Sequence, residues 1–258
     1  MEVQSRKEAV MVDKLLFSFD SFPSIATSVA VFLSLIADSS DAAHADCALP
    51  EKNIVLARVV FKEAKLYFIS GTRKGAFECP SAANACRLKA YLVAEDEVLM
   101  KATDAAYVCV RYKSRDFIET LGYLPRAALE TVSSEHLPIE KWNGTWRRDS
   151  EAEIILKSSG DEVTVSGNAT WGGSDPQRVK RGAVNTGELE GTFRPRGHVL
   201  SIGYDPNPSG FPPPEDAAPD ICAAKLELYD RYLLVEDNGR CGGVNVSFSG
   251  LYVRAESK

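Results

Sequence analysis

Six cysteines lie in this 258-residue chain, all of them after residue 46: Cys47, Cys79, Cys86, Cys109, Cys222 and Cys241. An even set of thiols constrains a fold strongly, because an oxidising compartment turns each pair into a covalent cross-link. The preceding segment points to such a compartment. Residues 25–37 form an uncharged, mostly apolar run of 13 residues. After a polar stretch comes Ala43-His44-Ala45, which fits the small-x-small rule for signal-peptidase cleavage before Asp46. The run is short for a hydrocarbon core of about 30 Å. Residues 1–45 are therefore predicted to be a removed signal peptide, with membrane attachment only if that segment stays uncleaved. Glu2, Glu8, Asp13 and Asp20 outnumber Arg6, Lys7 and Lys14 ahead of the run, which is unusual for a signal; a start at Met11 would remove Glu2 and Glu8 with Arg6 and Lys7 and leave Lys14 ahead of the run.

Spacing narrows the possible pairings. Cys79 and Cys86 flank a short Pro-Ser-Ala-Ala-Asn-Ala loop, and Cys222 and Cys241 flank a hairpin pattern, which leaves Cys47 for Cys109. A metal site is a poor alternative. No Cys-x-x-Cys occurs, and the two histidines after residue 45, His136 and His198, lie far from any cysteine cluster. The reading is three disulfides, no metal and no cofactor.

Removal of residues 1–45 leaves 213 residues, enough for two domains of ordinary size. The whole chain carries a net charge of −6, and the first 45 residues hold six acids and three bases, so the remainder carries −3. Such a mild acidic balance offers no footprint for nucleic acid and no polybasic membrane patch. Strand signals dominate after residue 50. Residues 54–61, 65–69, 87–93, 98–101, 107–112 and 121–125 are short, rich in β-branched and aromatic residues, and broken by turn residues. That spacing, with no amphipathic helix of any length, predicts a small barrel.

The order Lys89-Ala90-Tyr91-Leu92-Val93, Asp96-Glu97-Val98, Ala106-Tyr107-Val108-Cys109-Val110 and Leu121-Gly122-Tyr123-Leu124-Pro125-Arg126-Ala127-Ala128-Leu129 resembles a bacterial SH3-like domain over about residues 55–132. Ala94-Glu95 stands where that family has a glycine before Asp96, and tyrosines replace its two tryptophans. The resemblance is closest to SH3-like domains of exported proteobacterial proteins, and it implies a targeting or scaffolding module.

Residues 133–139 read as a linker between a first domain (46–132) and a second (140–258). The second half opens with Trp142-Asn143-Gly144-Thr145-Trp146, and about eight antiparallel strands follow. Asp237-Asn238-Gly239 is predicted to be a tight hairpin turn before a last strand over 245–254, since Asn-Gly supplies the positive φ angles such a turn needs. An up-and-down barrel or sandwich is expected. Gly144-Thr145-Trp146 resembles the Gly-x-Trp opening of lipocalin- and avidin-like barrels. The fold class is thus all-β, a small SH3-like barrel followed by a second antiparallel barrel or sandwich.

Catalytic signatures are sparse. Neither His136 nor His198 lies beside a recognisable nucleophile, and the cysteines are assigned to disulfides. Same-strand acids such as Glu151 and Glu153, or Glu188 and Glu190, read as solvated pairs rather than a glycosidase couple. Residues 171–185 are the best binding candidate: Trp171 neighbours Arg178, Lys180 and Arg181, and an extended segment would put Arg178 and Lys180 on one face. Tyr91 and Tyr107, with Tyr112 and Tyr123, are candidates to stack on sugar rings or peptide. Residues 204–221 hold six prolines and read as a stiff loop. These readings converge on a periplasmic or secreted, non-enzymatic adaptor of the cell envelope that recognises peptidoglycan or an envelope protein. The alternatives are a small-ligand carrier with a hollow second barrel, or a lysozyme-type inhibitor.

Overall fold

Strand-forming residues at every second position build two antiparallel sheets. The computed structural model describes residues 47, 53–60, 64–134, 137–203 and 221–255. The apolar run at 25–37, the cleavage motif, His136 and the proline-rich loop lie outside the described residues.

The first sheet contains β1 (Ile54–Val59), β2 (Leu66–Ile69), β3 (Arg87–Leu92), β4 (Glu97–Lys101), β5 (Tyr107–Lys113), β6 (Glu119–Pro125) and β7 (Leu129–Val132). Its strand order is β3-β2-β6-β5-β4-β1-β7. A 3-10 turn over Arg126–Ala128 joins β6 to β7. Every strand sends a side chain into one core, among them Ala57, Phe68, Leu92, Met100, Val110, Leu124 and Leu129, so the sheet curls around them.

The second sheet runs through β8 (Gly144–Arg147), β9 (Ala152–Ser159), β10 (Glu162–Trp171), β11 (Asn185–Phe193), β12 (Val199–Ile202), β13 (Ala224–Tyr229), β14 (Tyr232–Asp237) and β15 (Gly250–Arg254). The order β11-β10-β9-β8-β15-β14-β13-β12 joins chain neighbours throughout and returns β15 to β8. The result is an up-and-down barrel, nearly closed, with one gap in the ladder between β11 and β12. In β10 burial alternates strictly, Val163 and Val165 inward and Thr164 and Ser166 outward, as the two-residue period requires. The interior is filled by Trp142, Trp146, Phe248 and Tyr252, all at most 1 % exposed, with Ile154, Leu189, Leu226 and Leu233 between them. Each such side chain contributes about 1.5–3 kcal/mol by leaving water.

The three disulfides form between the cysteines that spacing pairs: Cys47–Cys109, Cys79–Cys86 and Cys222–Cys241. Cross-links of this kind are the mark of an oxidising compartment. Among the described residues no helix is long and apolar enough to cross a membrane.

The final hairpin differs from expectation. Asn238-Gly239 does turn, with Gly239 at φ 69°, but the last strand begins only at Gly250. The cause is the Asp237 carboxylate. It accepts hydrogen bonds from the Ser247 hydroxyl and from the backbone N–H groups of Gly239, Phe248 and Ser249, and so replaces the ladder bonds a hairpin would have made. The freed loop crosses to the β11 edge, where Gly243 N donates to Thr186 O at 3.0 Å and the Asn185 side chain to Val244 O at 2.7 Å. Gly187 and Gly242 touch backbone to backbone there, and a Cβ on Gly187 would run into the Cys241 carbonyl oxygen. Cys222–Cys241 pins this loop to the start of β13.

Outer faces of both sheets are also apolar where they meet. Leu56 of β1 and Leu99 of β4 are buried with Tyr229, Tyr232, Leu251 and Val253 of β13–β15. Strands buried on both sides read as unbroken apolar runs, which explains Ile54-Val55-Leu56-Ala57, Val98-Leu99-Met100 and Tyr232-Leu233-Leu234-Val235. The Tyr232 hydroxyl donates to Glu97 O at 2.7 Å across this seam.

Candidate functional site

The residues singled out from the sequence fall on different sheets. Trp171 ends β10 of the second sheet, whereas Tyr91 and Tyr107 belong to β3 and β5 of the first. Tyr91 is exposed and packs against Tyr67 with ring centroids 5.6 Å apart. Lys65 lies over the Tyr91 ring at 4.2 Å and Arg87 over the Tyr67 ring at 3.3 Å, which makes a stacked row of cations and rings. Tyr107, Tyr112 and Tyr123 are half-buried.

The Trp171–Asn185 segment is not extended. Asp175 caps a short helix, α1 (Pro176–Lys180), by accepting from Gln177 N, with Pro176 at its first position. Residues two apart on a helix do not share a face, so Arg178 and Lys180 diverge, contrary to the extended reading. Arg178 lies over the Trp171 ring at 4.0 Å and within 3.7 Å of the Asp175 carboxylate. Lys180 and Arg181 are exposed. The loop also holds an anion already: Glu151 accepts from Gly172 N, from Ser174 N and from the Ser174 hydroxyl. The Ser174 hydrogen bonds hold the Glu151 carboxyl below its ordinary range. Glu153 pairs with Arg147, so Glu151 and Glu153 serve separate structural contacts. Within the patch Arg178 has its own counter-charge, Asp175.

A different cluster gathers cations from both sheets. At the seam between the sheets, Arg115, Lys141, Asp230, Arg231, Val253, Arg254 and Ala255 line a cleft of about 510 Å³. Topology assembles it from separate elements. Arg115 lies in the turn between β5 and β6, and Lys141 in a 3-10 turn over Ile139–Trp142. Asp230-Arg231 is the two-residue loop between β13 and β14, with Asp230 at φ 48° as such a turn needs. Arg254 closes β15.

The Arg231 guanidinium donates to Lys113 O at 3.2 Å and lies 4.9 Å from the Tyr232 ring centre. Arg254 donates to Asn143 O at 2.8 Å and Lys141 O at 2.6 Å, against the Trp146 ring at 4.7 Å. Burial lowers the Arg254 pKa. Among the described residues the carboxylate in the lining is Asp230, which pairs with the Lys141 ammonium at 2.7 Å. Among the described residues no Ser, Cys or His lines this cleft, and its grip is cationic.

A second depression along the seam, of about 360 Å³, is lined by residues that include Leu56, Val132, Ser134, His198 and Tyr229. The His198 ring rests 5.5 Å from that of Tyr229, and the buried Ser134 hydroxyl meets no hydrogen-bond partner among the described residues. Among the described residues no three His, Cys, Asp or Glu side chains cluster as a metal site would require.

No protein-family model, curated protein or solved structure matches the chain.

Sequence reasoning passed over the cleft residues. Arg231 was open to discovery, because it sits between two recognisable strands with only Asp230 beside it. Arg115, Lys141 and Arg254 carry no local signal, since only the docking of the two sheets brings them together.

Proposed function

We propose that this is an exported, non-enzymatic adaptor of the cell envelope that recognises peptidoglycan or an envelope protein through its outer surface. The observation that carries this reading is the filled interior of the second barrel. Trp142, Trp146, Phe248 and Tyr252 occupy the space in which a carrier of that architecture would hold a ligand. Recognition is then left to loops and seams, where the cationic cleft and the Tyr67–Tyr91 row lie. The disulfides support a periplasmic or secreted setting. The resemblance of residues 55–132 to bacterial SH3-like domains supports a scaffolding role.

The test is retention of the oxidised chain on purified sacculi and on immobilised envelope extract, with native mass spectrometry of the chain as purified. Retention on one of the two matrices, with a mass equal to that of the bare chain, is expected. A stoichiometric apolar ligand in the spectrum would overturn the adaptor in favour of the carrier.

A further inference from the structure

In the seam cleft Arg231 and Arg254 have more N–H donors than their contacts among the described residues use. Among the described lining residues the carboxylate is Asp230, and its partner is Lys141 rather than Arg231 or Arg254. A guanidinium offers five N–H donors in a planar fork. Arg231 spends one of them on Lys113 O, and Arg254 spends two, on Asn143 O and Lys141 O. Among the described residues neither guanidinium meets a carboxylate; each is steadied by a backbone carbonyl on its edge and an aromatic ring on its face. Such fixed orientation lowers the entropy cost of gripping an anion, and the remaining donors match the two-oxygen geometry of carboxylate or phosphate.

We infer that this cleft binds a ligand bearing two oxyanion groups, carboxylate or phosphate, held by Arg231 and Arg254 with Lys141 beside them. The inference rests on the adaptor reading and names the chemistry that the adaptor recognises. Because Arg231 of the second sheet is anchored on Lys113 O of the first, such a ligand sits on a contact between the two.

Isothermal titration of the purified, oxidised chain with pyrophosphate, with succinate and with neutral succinamide tests this. The dianions bind, their affinity falls with added salt, and succinamide does not bind. Arg231→Gln weakens the dianions about 10-fold or more, the scale of a lost charge-assisted hydrogen bond. Lys141→Gln, which leaves the backbone carbonyls held by Arg254 in place, weakens them less. Pyrophosphate binding alone assigns the site to phosphate-bearing ligands, and succinate binding alone to carboxylates. The inference falls if neither dianion binds at about 1 mM, or if both variants bind as tightly as the parent chain. Retention on sacculi or envelope extract without dianion binding would sink the cleft and leave the adaptor standing. Dianion binding without retention would do the reverse.

Discussion

In the β1–β7 sheet the buried residues are almost all aliphatic, Phe68 being the one buried ring in that core among the described residues, whereas the β8–β15 barrel is built around Trp142, Trp146, Phe248 and Tyr252. Cross-links are distributed the other way. Two disulfides serve the smaller sheet, and Cys47–Cys109 bolts a residue from before β1 onto its β5. The barrel has one, at its loop. A small core buries too little apolar surface to offset chain entropy and needs covalent help; a core of large rings needs less.

This contrast can be broken first by cutting into the rings. Trp146→Ala removes a fully buried indole whose N–H donates to Trp142 O at 3.1 Å, and should cost about 3–5 kcal/mol in denaturant unfolding followed by far-ultraviolet circular dichroism. Replacing Cys47 and Cys109 together by serine should cost about 4 kcal/mol from the released loop entropy alone, against about 3 for Cys222 and Cys241. An equal or larger loss at the barrel disulfide would contradict the division of labour. Leu99→Ala thins the seam rather than either core and should cost about 2–3 kcal/mol. Calorimetry should then show two transitions for the variant where one is expected for the parent chain.

Alkali gives the gentlest discrimination. Tyr229, Tyr232 and Tyr252 all belong to β13–β15, and burial raises the pKa of each above its ordinary 10.0. The folded state keeps these phenols protonated while the unfolded chain releases their protons, so the stability they contribute is intact below pH 10 and declines as pH rises beyond it. Melting temperature measured from pH 8 upward should fall beyond that point, with the barrel's near-ultraviolet signal lost first. Tyr252→Phe gives up a hydrogen bond to Phe248 O, about 1 kcal/mol at neutral pH, and makes the alkaline decline shallower.

Much of the fold is legible in the residues themselves. Alternation marked β10 to its end residues, and cysteine spacing identified the three bonds, because both signals are local and periodic. The helix at Pro176 was also within reach: Asp175 followed by proline is a capping signal that the basic residues behind it overshadowed. The late start of β15 was harder, since Asn238-Gly239 does turn, and only the four hydrogen bonds into Asp237 decide that no ladder follows. The cationic cleft was least legible. Arg115 and Arg254 are far apart in the chain and become neighbours through the seam, whose sole trace in the sequence is a few apolar runs without polar alternation.

The loop that Cys241 fastens does more than tidy the barrel. By donating Gly243 N to Thr186 O and accepting at Val244 O from Asn185, it blunts the start of an edge strand that would otherwise template pairing with another molecule. Oxidation of Cys222 and Cys241 thus acts as a guard against polymerisation, and chains that mature without that bond should form β-rich aggregates while the fully oxidised ones stay in solution.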